Sequence, residues 1–266
     1  MFRLTREVRF GINEPHGGEG DTSVAPTGVT NSYGGFPSIT GLAHYFALRV
    51  TLAGELQGPT NYLLNIKDVD REVRDRAIPL VRQAILQHRF GGDIALELFY
   101  ELHQSWPGVE LDALELALSP FMSLVVHARE LPMMRLSQKF EFSASHRLCN
   151  PSLSDEQNRE VFGKCSNPHG HGHNYEVQVT LKADEASGVL LSVPKFEQVV
   201  KTTVIDRFDH KNLNVEVEEF MRLIPTVENI ALIIYKLLAP EFDREKAKLA
   251  SVTVWETPKT WCEYSE

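Results

Sequence analysis

The chain has 266 residues, 42% of them hydrophobic, and a formal net charge of −9. This length spans one large domain or two of ordinary size, and the apolar content is enough for a packed core, which excludes global disorder. The acidic balance excludes general nucleic-acid binding, and without an apolar run of membrane-spanning length no membrane partner is expected.

The opening MFRLTREVRF carries charge but no apolar centre of a signal peptide, so a cytoplasmic location is expected. Cys149, Cys165 and Cys262 are too few for a disulfide framework and fit a reducing compartment. An anionic small substrate is compatible with the charge if local cations oppose the global field.

In chain order, FRLTREVRFGIN is followed by a long polar, Gly-rich loop, then AHYFALRVTL, LLNIKDVDREV and IALELFYELHQ. The same order returns as MRLSQKFEFSAS, GHNYEVQVTL, LLSVPKFEQVV and IALIIYKLLAP, each copy between 127 and 136 residues after its partner. This predicts two homologous domains, 1–130 and 131–266, joined near HARELPMM. Each reads as strand, strand, helix, helix, strand, strand. That is an α+β architecture, an antiparallel sheet with helices on one face.

The second copy is the more informative. RLSQKFEFSASH alternates, with Phe140, Phe142, Ala144 and His146 on one face. HGHNYEVQVTL does the same with His171, His173, Tyr175, Val177, Val179 and Leu181. PKFEQVVKTTVIDRF starts with Pro in a first helical turn. TVENIALIIYKLLAP is a second helix with Thr226 as N-cap. LASVTVWET and TWCEYS are the closing strands.

His171 and His173 point to one side of their strand, and His146 ends another strand on its apolar face. If those strands pair, three imidazoles converge, a set that zinc accepts while keeping a fourth position open. Cys165 lies just before this pair, beside Lys164. A free cysteine is commonly a small buried residue, but cations and a metal favour thiolate, which puts catalysis ahead here. Asp209 and His210 are adjacent at a helix end, where capping explains them ahead of a proton relay. Glu256 ends a strand, and Glu228 sits in a first helical turn, where the helix dipole explains it.

FSASHRL, FGKCSNPHGHGHNY, FDHKNLN, TVENIA and VWET, in this order across residues 131–266, resemble the 6-pyruvoyl-tetrahydropterin synthase family. The resemblance implies the T-fold, a ββααββ unit that assembles into an oligomeric barrel. It implies zinc on His146, His171 and His173, with Cys165 as general base and Asp209 and His210 completing a proton relay. It further implies that Glu256 anchors a pterin, with Thr226 and Glu228 near its pocket. The implied reaction is a carbon–oxygen lyase step converting 7,8-dihydroneopterin triphosphate to 6-pyruvoyl-tetrahydropterin with loss of triphosphate. Arg147, Lys164 and Lys211 are candidates to meet the phosphates by proximity.

His169 and Ser192 depart from the family pattern without removing a catalytic group. Two other readings are a 6-carboxy-tetrahydropterin synthase of the queuosine pathway and a non-catalytic pterin-binding or scaffold protein. The five-residue gap between Cys165 and His171 favours the pyruvoyl type. Aligning the two copies sets His146 against Glu14, His171 against Leu42, His173 against His44 and Glu256 against Leu118. The first domain is therefore expected to keep the fold and lack the site, with His44 a core or interface residue. Three chains of two domains each would match a six-unit assembly, so a homotrimer is expected.

Overall fold

A computed structural model describes residues 1–13, 32–39, 41–89, 91–183, 191–245 and 247–266. It divides the chain into two units, Met1–Leu136 and Ser137–Glu266. Glu14 and most of the Gly-rich loop lie outside the described residues.

In the first unit, β1 (Phe2–Asn13) and β2 (Ala43–Gly54) pair antiparallel over their full length. Alternation along β1 buries Val8, Phe10 and Ile12 and turns Glu7 and Arg9 outward. β3 (Val109–Ser119) and β4 (Met122–His127) continue the sheet in the order β1-β2-β3-β4. Helices α1 (Ile66–Glu72), α2 (Ile78–Leu86) and α3 (Gly91–Leu102) bury apolar residues including Val69, Val81 and Leu98. A π-helical turn, Val73–Ala77, joins α1 to α2.

Four local features of this unit matter later. Arg6 forks onto Asp70 with two 2.8 Å hydrogen bonds. The Thr5 and Thr51 hydroxyls lie 2.8 Å apart. The β2–β3 register shifts between Thr51 and Leu52. The segment Tyr33–Ser38 docks on the β1 edge: Phe36 N–H donates to the Arg9 carbonyl at 2.9 Å, and Gly11 N–H to the Pro37 carbonyl at 2.7 Å. Gly35 permits this approach, with φ of +75° and a position where a Cβ would fall 2.8 Å from the Arg9 oxygen.

In the second unit, β5 (Met134–His146), β6 (His171–Lys182), β8 (Lys248–Thr257) and β9 (Thr260–Tyr264) follow one another across the sheet. The short β7 (Lys211–Asn212) pairs parallel with Ala144 and Ser145 of β5. α5 (Val193–Val200) passes through a π-helical turn, Lys201–Ile205, into α6 (Asp206–Phe208). α8 (Val227–Arg244) packs on β8 and β9 through Ile230, Ile234, Leu238 and Phe242, all fully buried.

Three of these local features recur here. The Ser137 and Thr180 hydroxyls are 3.0 Å apart, and Gln138 donates to Glu197 at 2.6 Å. The β6–β8 register shifts between Thr180 and Leu181.

The structure departs from the sequence reading over two helices and places two further residues that the sequence singled out. An unpredicted helix, α4 (Asp155–Phe162), stands between the first two strands of this unit, started by a capping box of Ser154 and Gln157. α8 does not stop at Pro240 but runs to Arg244, because Phe242 beyond the proline is fully buried. Ser192 is the N-cap of α5 but makes no side-chain cap bond, whereas Asn65 at the matching start of α1 accepts from Lys67 N–H. His44, expected in the core or at an interface, is exposed on β2, its ring 6.4 Å from that of Phe46, which leaves the interface alternative.

Candidate active site

Strands β5 and β6 are neighbours in the sheet, and their inward faces carry His146, His171 and His173. One ring nitrogen from each lies within 4.8 Å of the others. The His146 and His171 Nε2 atoms are 3.0 Å apart. Tetrahedral zinc with nitrogen ligands at about 2.0–2.1 Å sets those atoms about 3.3 Å apart, so small shifts make a coordination set.

His146 is fully buried, and its Nδ1 lies 2.7 Å from the Pro225 carbonyl. That bond makes Nδ1 the protonated nitrogen and leaves Nε2 as a lone-pair donor, the usual way a ligand imidazole is oriented. The buried Nε2 of His173 has no hydrogen-bond partner. Burial, then the neighbouring imidazoles His146 and His173, pushes the pKa of His171 down. Burial also lowers that of His173, against the opposing pull of Glu256. Both shifts favour the neutral form that binds metal. The donor set fits zinc.

Glu256, at the end of β8, joins this cluster. Its Oε1 is 3.2 Å from His146 Nε2 and 3.6 Å from His173 Nε2. The neighbouring His146 imidazole holds its carboxyl below the usual carboxylate range, against the opposing effect of burial. Spacing alone gave no sign of this contact, since Glu256 reads in sequence as a strand end.

Cys165 is half-buried in the turn after α4. Its carbonyl accepts from Leu148 N–H at 2.9 Å, and Arg147 Nε donates to the Ser166 carbonyl at 2.9 Å. Both bonds tie the cysteine turn to the residues directly after His146. Asn158, almost fully buried, braces the intervening loop through bonds to Asn150, Leu153 and Ser154. Gly170 completes the approach, for a Cβ there would meet the His146 carbonyl at 2.9 Å. The Arg147 guanidinium, a candidate for phosphate, is thus engaged in holding this turn. Lys211 is 3.3 Å from Glu216, and Lys164 is exposed.

Asp209 and His210 are placed elsewhere. The Asp209 carboxylate accepts from Ser143 N–H at 2.8 Å and lies 2.8 Å from His210 Nδ1. That hydrogen bond, then the one from His210, lowers the Asp209 pKa. The dyad sits at the β5 edge, and His210 borders a hollow of about 580 Å³ whose walls include Ser143, Ser145 and Asn174. Those side chains alternate with His146, His171 and His173 along their strands, and His173 also borders the hollow.

Thr226 caps α8, its hydroxyl accepting from Asn229 N–H, and directly follows Pro225. Glu228, exposed in the first turn, lies close enough to raise the Cys262 thiol pKa, after the larger effect of burial.

The model for 6-pyruvoyl tetrahydropterin synthase matches residues 135–266. A 6-pyruvoyl tetrahydrobiopterin synthase from Drosophila melanogaster is 40% identical over 135 residues, covering 50% of this chain and 80% of the relative. The chain belongs to the 6-pyruvoyl tetrahydropterin synthase family.

The human 6-pyruvoyl tetrahydrobiopterin synthase is 42% identical over 103 residues, 38% of this chain and 71% of its own. A 6-carboxy-5,6,7,8-tetrahydropterin synthase from Bacillus subtilis is 35% identical over 114 residues, 40% of this chain and 73% of its own. The family match covers the unit that holds the three histidines. No helix among the described residues is long and apolar enough to cross a membrane.

Proposed function

We propose that residues 131–266 form a zinc-dependent 6-pyruvoyl-tetrahydropterin synthase, a lyase that converts 7,8-dihydroneopterin triphosphate to 6-pyruvoyl-tetrahydropterin and triphosphate. The observation that carries this reading is the convergence of His146, His171 and His173 beside Glu256, in a unit 40% identical to a relative bearing the synthase name.

His146, His171 and His173 would hold the zinc, which supplies Lewis-acid polarisation of the substrate side-chain oxygens. Glu256 accepts the pterin amino and ring N–H groups in a fork and so fixes the ring. Thr226 and Glu228, at the start of α8, border the pocket. Cys165, held beside His146 by the Leu148 and Arg147 bonds, removes a substrate proton as general base. The Asp209–His210 dyad completes the relay from a neighbouring chain; its own chain holds it at the β5 edge, against Ser143 N–H.

The first unit is a degenerate copy of the second. Matching positions carry matching contacts: Thr5–Thr51 with Ser137–Thr180, and Arg6–Asp70 with Gln138–Glu197. The bulge after Thr51 and that after Thr180 fall at equivalent places, and each unit has a π-helical turn after its first core helix. These coincidences support tandem T-folds and, with the dyad's position, a homotrimer whose six units form a barrel.

Incubating the zinc-loaded protein with dihydroneopterin triphosphate and weighing the product by mass spectrometry tests the assignment. A pyruvoyl product is expected. A carboxy product would assign the alternative synthase, and unchanged substrate would assign a binding or scaffold role.

A further inference from the structure

Strand β5 ends at His146, so the backbone groups of Arg147 have left the ladder and need partners elsewhere. Both find the same one. Arg147 N–H donates to Asn214 Oδ1 at 2.7 Å, and Asn214 Nδ2 donates to the Arg147 carbonyl at 3.0 Å. A carboxamide offers an acceptor and a donor side by side, as a neighbouring strand does. Asn214 thereby extends the ladder one residue beyond His146, with a side chain in place of a strand.

Asn214 is itself well held. It lies in a one-turn helix, Leu213–Glu216, whose Leu213 is fully buried, and its own N–H donates to Asn212 Oδ1 at 3.1 Å. Upstream, the same segment grips β5 at every residue. Ser143 N–H donates to the Asp209 carboxylate, His210 N–H donates to the Ser143 carbonyl at 2.6 Å, and Lys211 and Asn212 pair with Ala144 and Ser145. The carboxamide is the last hold of this run and the one that lies past His146.

Its grip on Arg147 reaches two groups. One is His146, whose following peptide it fixes. The other is the cysteine turn, where Arg147 Nε holds the Ser166 carbonyl and Leu148 N–H holds that of Cys165, each at 2.9 Å. With the Arg147 backbone free to turn, the ligand strand and the cysteine turn would lose their fixed separation. Anchoring of the segment does not require the carboxamide, because buried Leu213 already supplies it, and Asn214 is only half-buried.

We propose that Asn214 is a positioning residue whose side chain locks the backbone after His146 and so sets Cys165 against the histidine cluster. The inference rests on the reading of His146 as a zinc ligand and Cys165 as the base.

The test uses the full chain with cobalt in place of zinc, whose visible absorption reports ligand geometry, and alkylation by iodoacetamide followed at each cysteine by mass spectrometry. Asn214→Ala should bind cobalt about tenfold more weakly, as for loss of an outer support of a ligand histidine, and should shift its spectrum. Cys165 should alkylate severalfold faster as its turn loosens, while Cys262, on β9, keeps its rate. Asn214→Asp keeps the bond from Arg147 N–H and loses the other, so it should fall between the two, about threefold below the unmutated chain in cobalt affinity. If the alanine variant did not fold, the aspartate variant would decide on the same readings. Unchanged affinity, spectrum and Cys165 rate in the variants that fold would overturn the inference. Equal acceleration of Cys165 and Cys262 would also overturn it, since that marks general loosening. An unmutated chain that binds no cobalt would overturn the zinc reading and this inference with it.

Discussion

Asn229→Ala tests whether the loop before α8 is part of the metal centre. The Asn229 amide donates to the Ile224 carbonyl at 2.8 Å, and the next carbonyl, that of Pro225, orients His146. Ile224 keeps a second donor, Thr226 N–H at 2.8 Å, so the loop loosens without detaching. Loss of one such bond costs about 1 kcal/mol, or roughly 2–4 °C in melting temperature for a domain of this size. Removing an outer partner of a ligand histidine costs 10–100-fold in metal affinity, and a loosened carbonyl belongs near tenfold. Competition for zinc against a chromophoric chelator measures the affinity, and a melt measures the stability. Asp70→Ala is the control. It removes a carboxylate whose side chain is 12% exposed from beneath Arg6, and should destabilise by about 2 kcal/mol without touching zinc affinity. If Asn229→Ala lowered the melting temperature as expected and left zinc affinity within twofold, the Pro225 carbonyl would have no part in tuning the site.

Metal analysis should find about one zinc per chain, and His171→Ala should lose most of it; two per chain would refute the degenerate reading of the first unit. Cys165→Ala should keep fold and zinc but lose roughly 10²–10⁴-fold in turnover, the scale of a positioned base. Cys149→Ala and Cys262→Ala should cost far less, and a dead Cys149→Ala would overturn the assignment. Sedimentation at micromolar concentration should show a trimer, and a stable monomer would leave the Asp209–His210 dyad without a site to complete.

The histidine cluster was legible because period-2 alternation puts His171 and His173 on one side, and an apolar face carries His146 toward them. Its supports were not. The His146–Pro225 bond joins residues 79 apart, and nothing local in either segment announces it. Glu256 likewise reads as a strand end until β8 lies beside β6. α4 could have been found, since Ser154 and Gln157 have capping-box spacing, but the stretch has few apolar residues to signal a helix. Asp209 and His210 were singled out by motif, while their place against β5 depended on the pairing of β7 with that strand, which a two-residue strand does not reveal.

The docking of Tyr33–Ser38 on β1 bears on whether the first unit could be given a site like that of the second. Placing histidines at positions 14 and 42 and a glutamate at 118 would supply ligands on paper. Yet the edge that in the second unit receives the segment bearing Asp209 and His210 is here already closed, by Phe36 N–H on Arg9 and Gly11 N–H on Pro37. Point substitution cannot reopen it, because the obstacle is a rerouted backbone fitted through Gly35 at van der Waals limits. A site engineered into the first unit would therefore need a new backbone path along this edge before any new side chain could serve it.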